Sequence, residues 1–354
     1  MKIGIVTLPL HFNYGGILQA YALQETLQKL GHTSYVIRFS SKSAKNYIKS
    51  FLYSLSSISQ FIDKYIRFEN LHEPFTISEL TSKKYDALIV GSDQVWRPSM
   101  GIDRKANVNR YFLRTIGNGK FRKIAYAASF GVDSLDFTDD EKILAKDLIK
   151  DFMCVSVREE SGLSLCTNLD RTDACQVLDP TMLLTKNEYS KFIIDSPFKS
   201  NNKHCFVYLL DYAETKNQEM VKALLPAFAE VLHAKVERNT LKKYLNSNLT
   251  IQDWLSSIYY SDLVITDSFH GCVFSILFHK DFYVMRNDIG GNTRINSLLS
   301  LFSLEDRLIG KKLVNNASTI NWELVEKKLQ LMRNFSIDFL RSCFEMIKLF
   351  IFIC

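Results

Sequence analysis

The chain reads as an α/β protein of two halves, each built on a mostly parallel sheet. Three observations predict this class. Its 354 residues exceed what one ordinary hydrophobic core holds. Short β-rich runs alternate with stretches of helical period, the βαβ order that requires parallel strands and right-handed crossovers. The alternation pauses once, at "QVLDPTMLL", where a proline interrupts the rhythm before "CFVYLL" restarts it. That pause sets the expected division: 1–175 as the first domain, 176–320 as the second, and 321–354 as a helical tail.

In the first half, residues 2–7 predict a strand, and a loop with Asn13, Tyr14, Gly15 and Gly16 follows. "ILQAYALQETLQKL" spaces Leu18, Tyr21, Leu23, Leu27 and Leu30 as a helix, with Gly31 as its C-terminal cap. "SYVIRF" is the second strand, "YDALIVGSD" another that ends at Gly91-Ser92-Asp93, and "KIAYAAS" one more. Thr138 and Glu141 form a capping box ahead of "KILAKDLIKDF". "CVSVRE" is the next strand and places Arg158 at its carboxyl end.

In the second half, "CFVYLL" is a strand, a helix is expected over 214–232, and a weak strand lies near "AKVER". "IQDWLSSIYYSD" is helical, "LVIT" a strand, "CVFSILFHK" a helix and "DFYVMR" the last clear strand. A helix near 294–301 and a helical run from Trp322 to Cys354 complete the chain. Residues 47–68 place Ile48, Phe51, Leu52, Leu55, Ile62, Tyr65 and Ile66 on one helical face, which fits either packing on the first domain or contact with a lipid surface.

Composition narrows the function classes. The charge, 44 basic against 38 acidic residues, is +6 and scattered. That is a mild preference for anions and no nucleic-acid footprint. Seven cysteines without a CxxC pair predict reduced thiols and a cytosolic protein. "MKIGIVTLPL" reads as a first strand and lacks the apolar segment and cleavage site of a signal peptide. No stretch reaches the roughly 20 apolar residues of a membrane span, and the terminal "LFIFIC" fits a buried end or a surface anchor.

In parallel sheets ligands bind beyond the carboxyl ends of the strands. This makes 11–16, 91–96, 129–131 and 156–159 candidates in the first half, and 211–214, 267–271 and 286–294 in the second. His270 stands out because it follows a strand and opens a helix, whose dipole attracts phosphate, and because imidazole moves protons near neutral pH. It reads equally well as a histidine bonded inside the turn. Asp267 or Ser268 caps that helix, with Asp267 preferred. Arg158 suits a carboxylate or phosphate, or else pairs with Glu159 or Glu160. Arg286 and Arg294 flank "NDIGGNT", a loop suited to closing over a ligand. Gly15-Gly16 resembles an anion-cradling turn without the full GxGxxG pattern. His11 and His279 have no metal-ligand spacing, so no metal is expected.

Together "NYGGILQAYAL", "YDALIVGSDQVW", "KIAYAASFG", "SVREESG", "VLDPTMLL", "VITDSFHG", "FYVMRND" and "TRINSLLSLFSLEDRL" resemble, in order and spacing over about residues 1 to 310, the polysaccharide pyruvyl transferase family. The resemblance implies two Rossmann-like domains facing a cleft, similar to the type B glycosyltransferase fold, with the acceptor on the first domain and the donor on the second. It implies transfer of a pyruvyl group from phosphoenolpyruvate to a sugar of a surface polysaccharide or its lipid-linked precursor, forming a pyruvate ketal and releasing phosphate. No cofactor is expected beyond that donor substrate. The family pattern matches an arginine to Arg158 and a general acid to His270. Asp93 is a candidate for orienting or deprotonating the sugar hydroxyl, or else only caps a turn. Ser268, Gly271, Arg286, Arg294, Asn13, Tyr14, Gly15, Gly16, Ser92 and Gln94 make up the expected substrate-binding set. One departure is Ser268, where the resemblance implies an arginine in many members; Arg286 or Arg294 replaces it, or the chain uses another donor, or the acceptor carries the missing charge. The resemblance also implies a bacterial cytoplasmic enzyme, and the amphipathic face of 47–68 suits a loose association with the inner face of the membrane.

Two rival readings stand. A type B sugar-nucleotide glycosyltransferase suits the architecture, but such enzymes often bind ribose with a glutamate, and no glutamate lies between His270 and Leu304. A non-catalytic sugar- or lipid-surface-binding protein would keep its effect when His270 is replaced.

Overall fold

The computed structural model describes residues 1–39, 56–100, 103–118, 121–198, 203–210, 219, 221, 224, 230–235, 249–286, 292–309 and 318–345. The chain forms two compact units, Met1–Ser43 with Asp63–Leu183 and Leu329–Cys354, and Ala44–Ile62 with Leu184–Lys328. It passes from the first to the second between Ser43 and Ala44 and again between Leu183 and Leu184.

Up to Leu183 the elements are β1 (Lys2–Val6), α1 (Tyr14–Lys29), β2 (Thr33–Phe39), α2 (Ser57–Tyr65), β3 (Phe68–Leu71), β4 (Phe75–Thr76), α3 (Ile77–Ser82), β5 (Ala87–Gly91), α4 (Arg104–Tyr111), β6 (Thr115–Ile116), β7 (Arg122–Ala128), α5 (Asp139–Ile149), β8 (Phe152–Val157), α6 (Ser161–Asn168) and β9 (Cys175–Gln176). Seven strands form one parallel sheet in the order β3-β2-β1-β5-β7-β8-β9, and β4 pairs with β6 apart from it. β5 is buried along its whole length, as expected for a parallel strand covered on both faces. Asn13 starts α1 by accepting the Gly16 amide at 3.0 Å. Gly31, at φ +82°, ends it, with the His32 amide returning to the Leu27 carbonyl. Trp96 anchors the core, stacked on Phe112 at 5.1 Å and packed on Phe130 at 5.2 Å, with its indole N–H bonded to the Tyr111 carbonyl. The capping box of Thr138 and Glu141 opens α5.

The elements that follow are α7 (Lys186–Tyr189), β10 (His204–Leu209), β11 (Glu230–Lys235), α8 (Ile251–Tyr260), β12 (Leu263–Thr266), α9 (Phe269–Leu277), β13 (Asp281–Met285), α10 (Asn292–Phe302), β14 (Leu308–Ile309) and α11 (Trp322–Glu345). Their five strands are parallel in the order β11-β10-β12-β13-β14. From Leu329 onward α11 belongs to the first unit: Ser336 accepts the Leu178 amide, Arg333 donates to the Met182 carbonyl, and Phe339 packs on Tyr126.

Three expectations need correction. The helix expected over 47–68 is α2, Ser57–Tyr65, and Phe68 already begins β3 in register with Val36; residues 47–55 lie outside the described ones. The described part of that stretch packs inward, with Ile58, Phe61 and Ile62 buried and Phe61 against Phe192. The helix expected to run to 232 gives way at Glu230 to β11, which pairs Glu230 with His204 in parallel register; the strand therefore starts before the expected Ala234. The rest of the 214–232 stretch, the "NDIGGNT" loop from 287 to 291 and "LFIFIC" fall largely or wholly outside the described residues. Among the described residues no helix is long and apolar enough to cross a membrane.

Candidate active site

In a doubly wound sheet the chain leaves in opposite directions from two neighbouring strands, and a crevice opens beyond their carboxyl ends. In the first sheet these strands are β1 and β5; in the second they are β10 and β12. Both points carry the residues singled out above.

At the first, β1 ends into Thr7, whose hydroxyl donates to the Ser92 carbonyl beyond β5 at 3.3 Å, while Gln19 of α1 donates to Thr7. Asp93 follows in the left-handed region at φ +66°. That turn aims its backbone carbonyl at the Val95 and Ser129 amides and its carboxylate back at the sheet edge. Oδ1 accepts from Arg158 Nη2 at 3.2 Å and from the Gln94 amide at 3.0 Å, and Oδ2 accepts from Asn13 Nδ2 at 3.3 Å. Arg158 also donates to Asp179 Oδ2 at 2.8 Å and to Ser92 Oγ at 3.4 Å, and lies 3.8 Å from Glu159. Asp179 takes the Ser92 hydroxyl and both the amide and hydroxyl of Thr181. Glu159 accepts the Phe130 and Gly131 amides, which ties the end of β7 to the end of β8.

Of the two readings of Arg158, the ion pair with Glu159 is present, at 3.8 Å. The Arg158 side chain has no exposed surface, and its partners are the distant Asp179 and Asp93 as well as the adjacent Glu159. Burial pulls its pKa down, but the three carboxylates outweigh that and hold it above the usual arginine value. The guanidinium is a buried hub that pairs with Asp93 and Asp179. Asp93, with donors on both oxygens, suits holding Asn13 and the turn after β5 better than taking a proton from a hydroxyl. Asn13, Ser92, Asp93, Gln94 and Arg158 are thus brought together, and Tyr14, Gly15 and Gly16 form the first turn of α1 beside Asn13. Gln94 Oε1 accepts from Arg97. Asp179 was absent from the expected set. Its signal was present in "VLDPTMLL", an aspartate fixed ahead of a proline just past a strand.

At the second point, Asp267 accepts the Leu210 amide from the end of β10 at 2.6 Å. The cap of α9 is therefore Ser268 and not Asp267: Ser268 Oγ accepts the Gly271 amide at 3.4 Å, while Asp267 is spent on the neighbouring strand. Ser268 thus has a structural use here. Thr266 accepts the Ser268 amide and donates to the Tyr208 carbonyl. A Cβ on Gly271 would fall 2.4 Å from Thr266 Oγ1, so α9 can approach β12 this closely only with glycine there. His270 occupies the first turn of α9, 6% exposed, its ring perpendicular to Phe269. The positive end of the helix dipole lies at that turn. The Arg294 guanidinium, from the first turn of α10, is 6.0 Å from the Phe269 ring, while Arg286 is exposed directly after β13. Among the described residues no three His, Cys, Asp or Glu side chains converge to hold a metal ion.

Residues 13–289, which include both points, match the family model for polysaccharide pyruvyl transferase. The chain belongs to the polysaccharide pyruvyl transferase family. It is accordingly a transferase, and membership implies a polysaccharide acceptor. Among solved structures the chain is similar to UDP-GlcNAc 2-epimerase from Neisseria meningitidis bound to UDP-GlcNAc, at 12% identity and a TM-score of 0.52, over 97% of this chain and 94% of that one. It is also similar to the S. aureus MnaA–UDP co-structure, at 14% identity and a TM-score of 0.50, over 95% and 94% of the two chains. At such identities the likeness shows the fold alone, two Rossmann-like domains of the type B glycosyltransferase kind. Among curated proteins none matches the chain in sequence.

Proposed function

We propose that this transferase moves a pyruvyl group from phosphoenolpyruvate onto a sugar of a surface polysaccharide or its lipid-linked precursor, forming a cyclic ketal and releasing phosphate. The observation that carries this reading is the placement of His270: a titratable ring in the first turn of α9, at the β10–β12 switch point, with Arg294 reaching the same turn. A donor with one carboxylate and one phosphate needs cationic grips. Arg286, Arg294 and the N-terminus of α9 supply them, now that Arg158 is committed to its own carboxylates.

The imidazolium of His270 protonates C3 of the enol while a sugar hydroxyl attacks C2. That hydroxyl's proton replaces the one drawn from His270. Loss of phosphate leaves an oxocarbenium ion, a second hydroxyl of the same sugar closes the ketal, and its proton leaves with the phosphate. The arginines and the helix dipole stabilise the anionic species between these steps. The first turn of α1 and the turn at Ser92–Gln94 are the proposed acceptor side. No cofactor enters the scheme. The enzyme works in the cytoplasm, taking lipid-linked acceptors at the inner membrane face.

The test is phosphate release from phosphoenolpyruvate with a panel of lipid-linked and free galactose-, glucose- and mannose-containing acceptors. Acceptor-dependent release is expected, reduced about 10²–10⁴-fold in His270→Ala with the melting temperature preserved. Absence of release with every acceptor, alongside binding of a nucleotide sugar, would replace this reading with the glycosyltransferase one.

A further inference from the structure

The second sheet has another concave site, at the edge opposite His270. A cavity of about 430 Å³ opens at the amino-terminal ends of β12 and β13, where Asp262 precedes one strand and Lys280 the other. His279 lies just past the end of α9, so this site and His270 are about 14 Å apart along that helix at its standard rise. They are separate places on one unit.

The lining combines three chemistries. Half-exposed Trp322 stacks on His279 at 4.9 Å and 20°, and Glu326 holds the other side of that imidazole at 3.2 Å. Tyr283 adds a second ring to the wall. Asp262 and Asp281 bring carboxylates; one oxygen of Asp262 is used by the His204 amide and one of Asp281 by Arg307. Arg307 is itself buried and committed to Asp281, Asp306 and the Ser318 carbonyl. Lys280 is different. It is half-buried, and among the described residues no carboxylate lies within ion-pair distance of its ammonium, which sits 5.5 Å from the Tyr259 ring. On the same ring, at 5.0 Å, is a second ammonium, that of Lys186. Burial and then Lys186 pull the Lys280 pKa below the usual lysine value, and Asp262 only partly opposes them. Two ammonium groups set about one ring favour an anion at this edge of the sheet.

The geometry points to a binding site for an acidic saccharide, a polysaccharide segment already bearing carboxylates, distinct from the place of transfer. The aromatic wall takes the C–H face of a pyranose, the aspartates accept its hydroxyls, and Lys280 binds the carboxylate. This rests on the reading of the chain as acting on polysaccharide. It deepens that reading by giving the enzyme a grip on a polymer segment beyond the reacting sugar.

Calorimetric titration of the full chain with tri-galacturonate and with neutral galactotriose tests it. Tri-galacturonate is expected to bind wild type and His270→Ala alike, about tenfold more weakly to Lys280→Met, and to recover in Lys280→Arg. Galactotriose binding is expected to be the same in all four proteins. No saturable binding of tri-galacturonate, equal affinity for the neutral trimer, or loss in His270→Ala with retention in Lys280→Met would each overturn the site. Phosphate release with a monosaccharide acceptor is run in parallel and is expected to be unchanged in Lys280→Met. Its absence in wild type would overturn the proposed transfer reaction, while the titration still decides this site.

Discussion

At the switch point of the first sheet, Arg158 lies wholly buried among Asp93, Asp179 and Glu159, and every interaction described for its guanidinium is with the protein. At the switch point of the second sheet Asp267 is, among the described residues, the carboxylate present; it bonds a backbone amide, and a histidine stands in the first turn of a capped helix. The topology is equivalent and the electrostatics are opposite in kind. One point is closed by charges that neutralise each other and fix the ends of three strands; the other keeps a histidine beside a helix dipole. A polar residue at a strand's carboxyl end is therefore a candidate for chemistry only after its partners have been counted.

Arg158→Met breaks this comparison most severely. It leaves three buried carboxylates without their cation and is expected to cost about 3–5 kcal/mol of stability, read by urea denaturation. A small change in the denaturation midpoint together with a raised KM for the donor would instead make Arg158 a ligand grip and erase the contrast. Gly271→Ala probes the second point. The new methyl meets Thr266 Oγ1, which is pinned by Tyr208 and Ser268, and a loss of about 1–3 kcal/mol is expected. An unperturbed melting curve would show that α9 can move off β12. Ser268→Ala removes the cap alone and is expected to cost about 1 kcal/mol, with phosphate release falling far less than in His270→Ala. A loss of release matching His270→Ala would show that Ser268 touches substrate and is more than a cap.

Much of this was legible in the sequence because it is local. The period of "ILQAYALQETLQKL", the Thr138–Glu141 box and the "LVIT" strand each depend on neighbours a few residues away, and the strand-to-helix handover at His270 follows from them. What escaped is non-local. Arg158 can be placed at a strand end from "CVSVRE", but its partners are 65 and 21 residues distant in the chain. Asp267 is a reasonable cap by type; only the end of β10, 57 residues away, competes for it. β11 is set by pairing with β10 more than by its own residues, which is why its position shifted. Helix α2 stops at Tyr65 because Phe68 is claimed by β2.

α11 has a consequence for how this protein is made. Its stretch from Leu329 supplies the first unit with Ser336, Arg333 and Phe339, bonded or packed to Leu178, Met182 and Tyr126. Those residues follow the whole of the second unit in the chain, so the first unit stays incomplete until the second has been made. The intervening second unit has all its own strands first and can fold while the other is still incomplete. A fragment ending at Leu183 would correspondingly expose the face that α11 covers, and a tag or fusion joined near Glu345 would act on the fold of the N-terminal sheet.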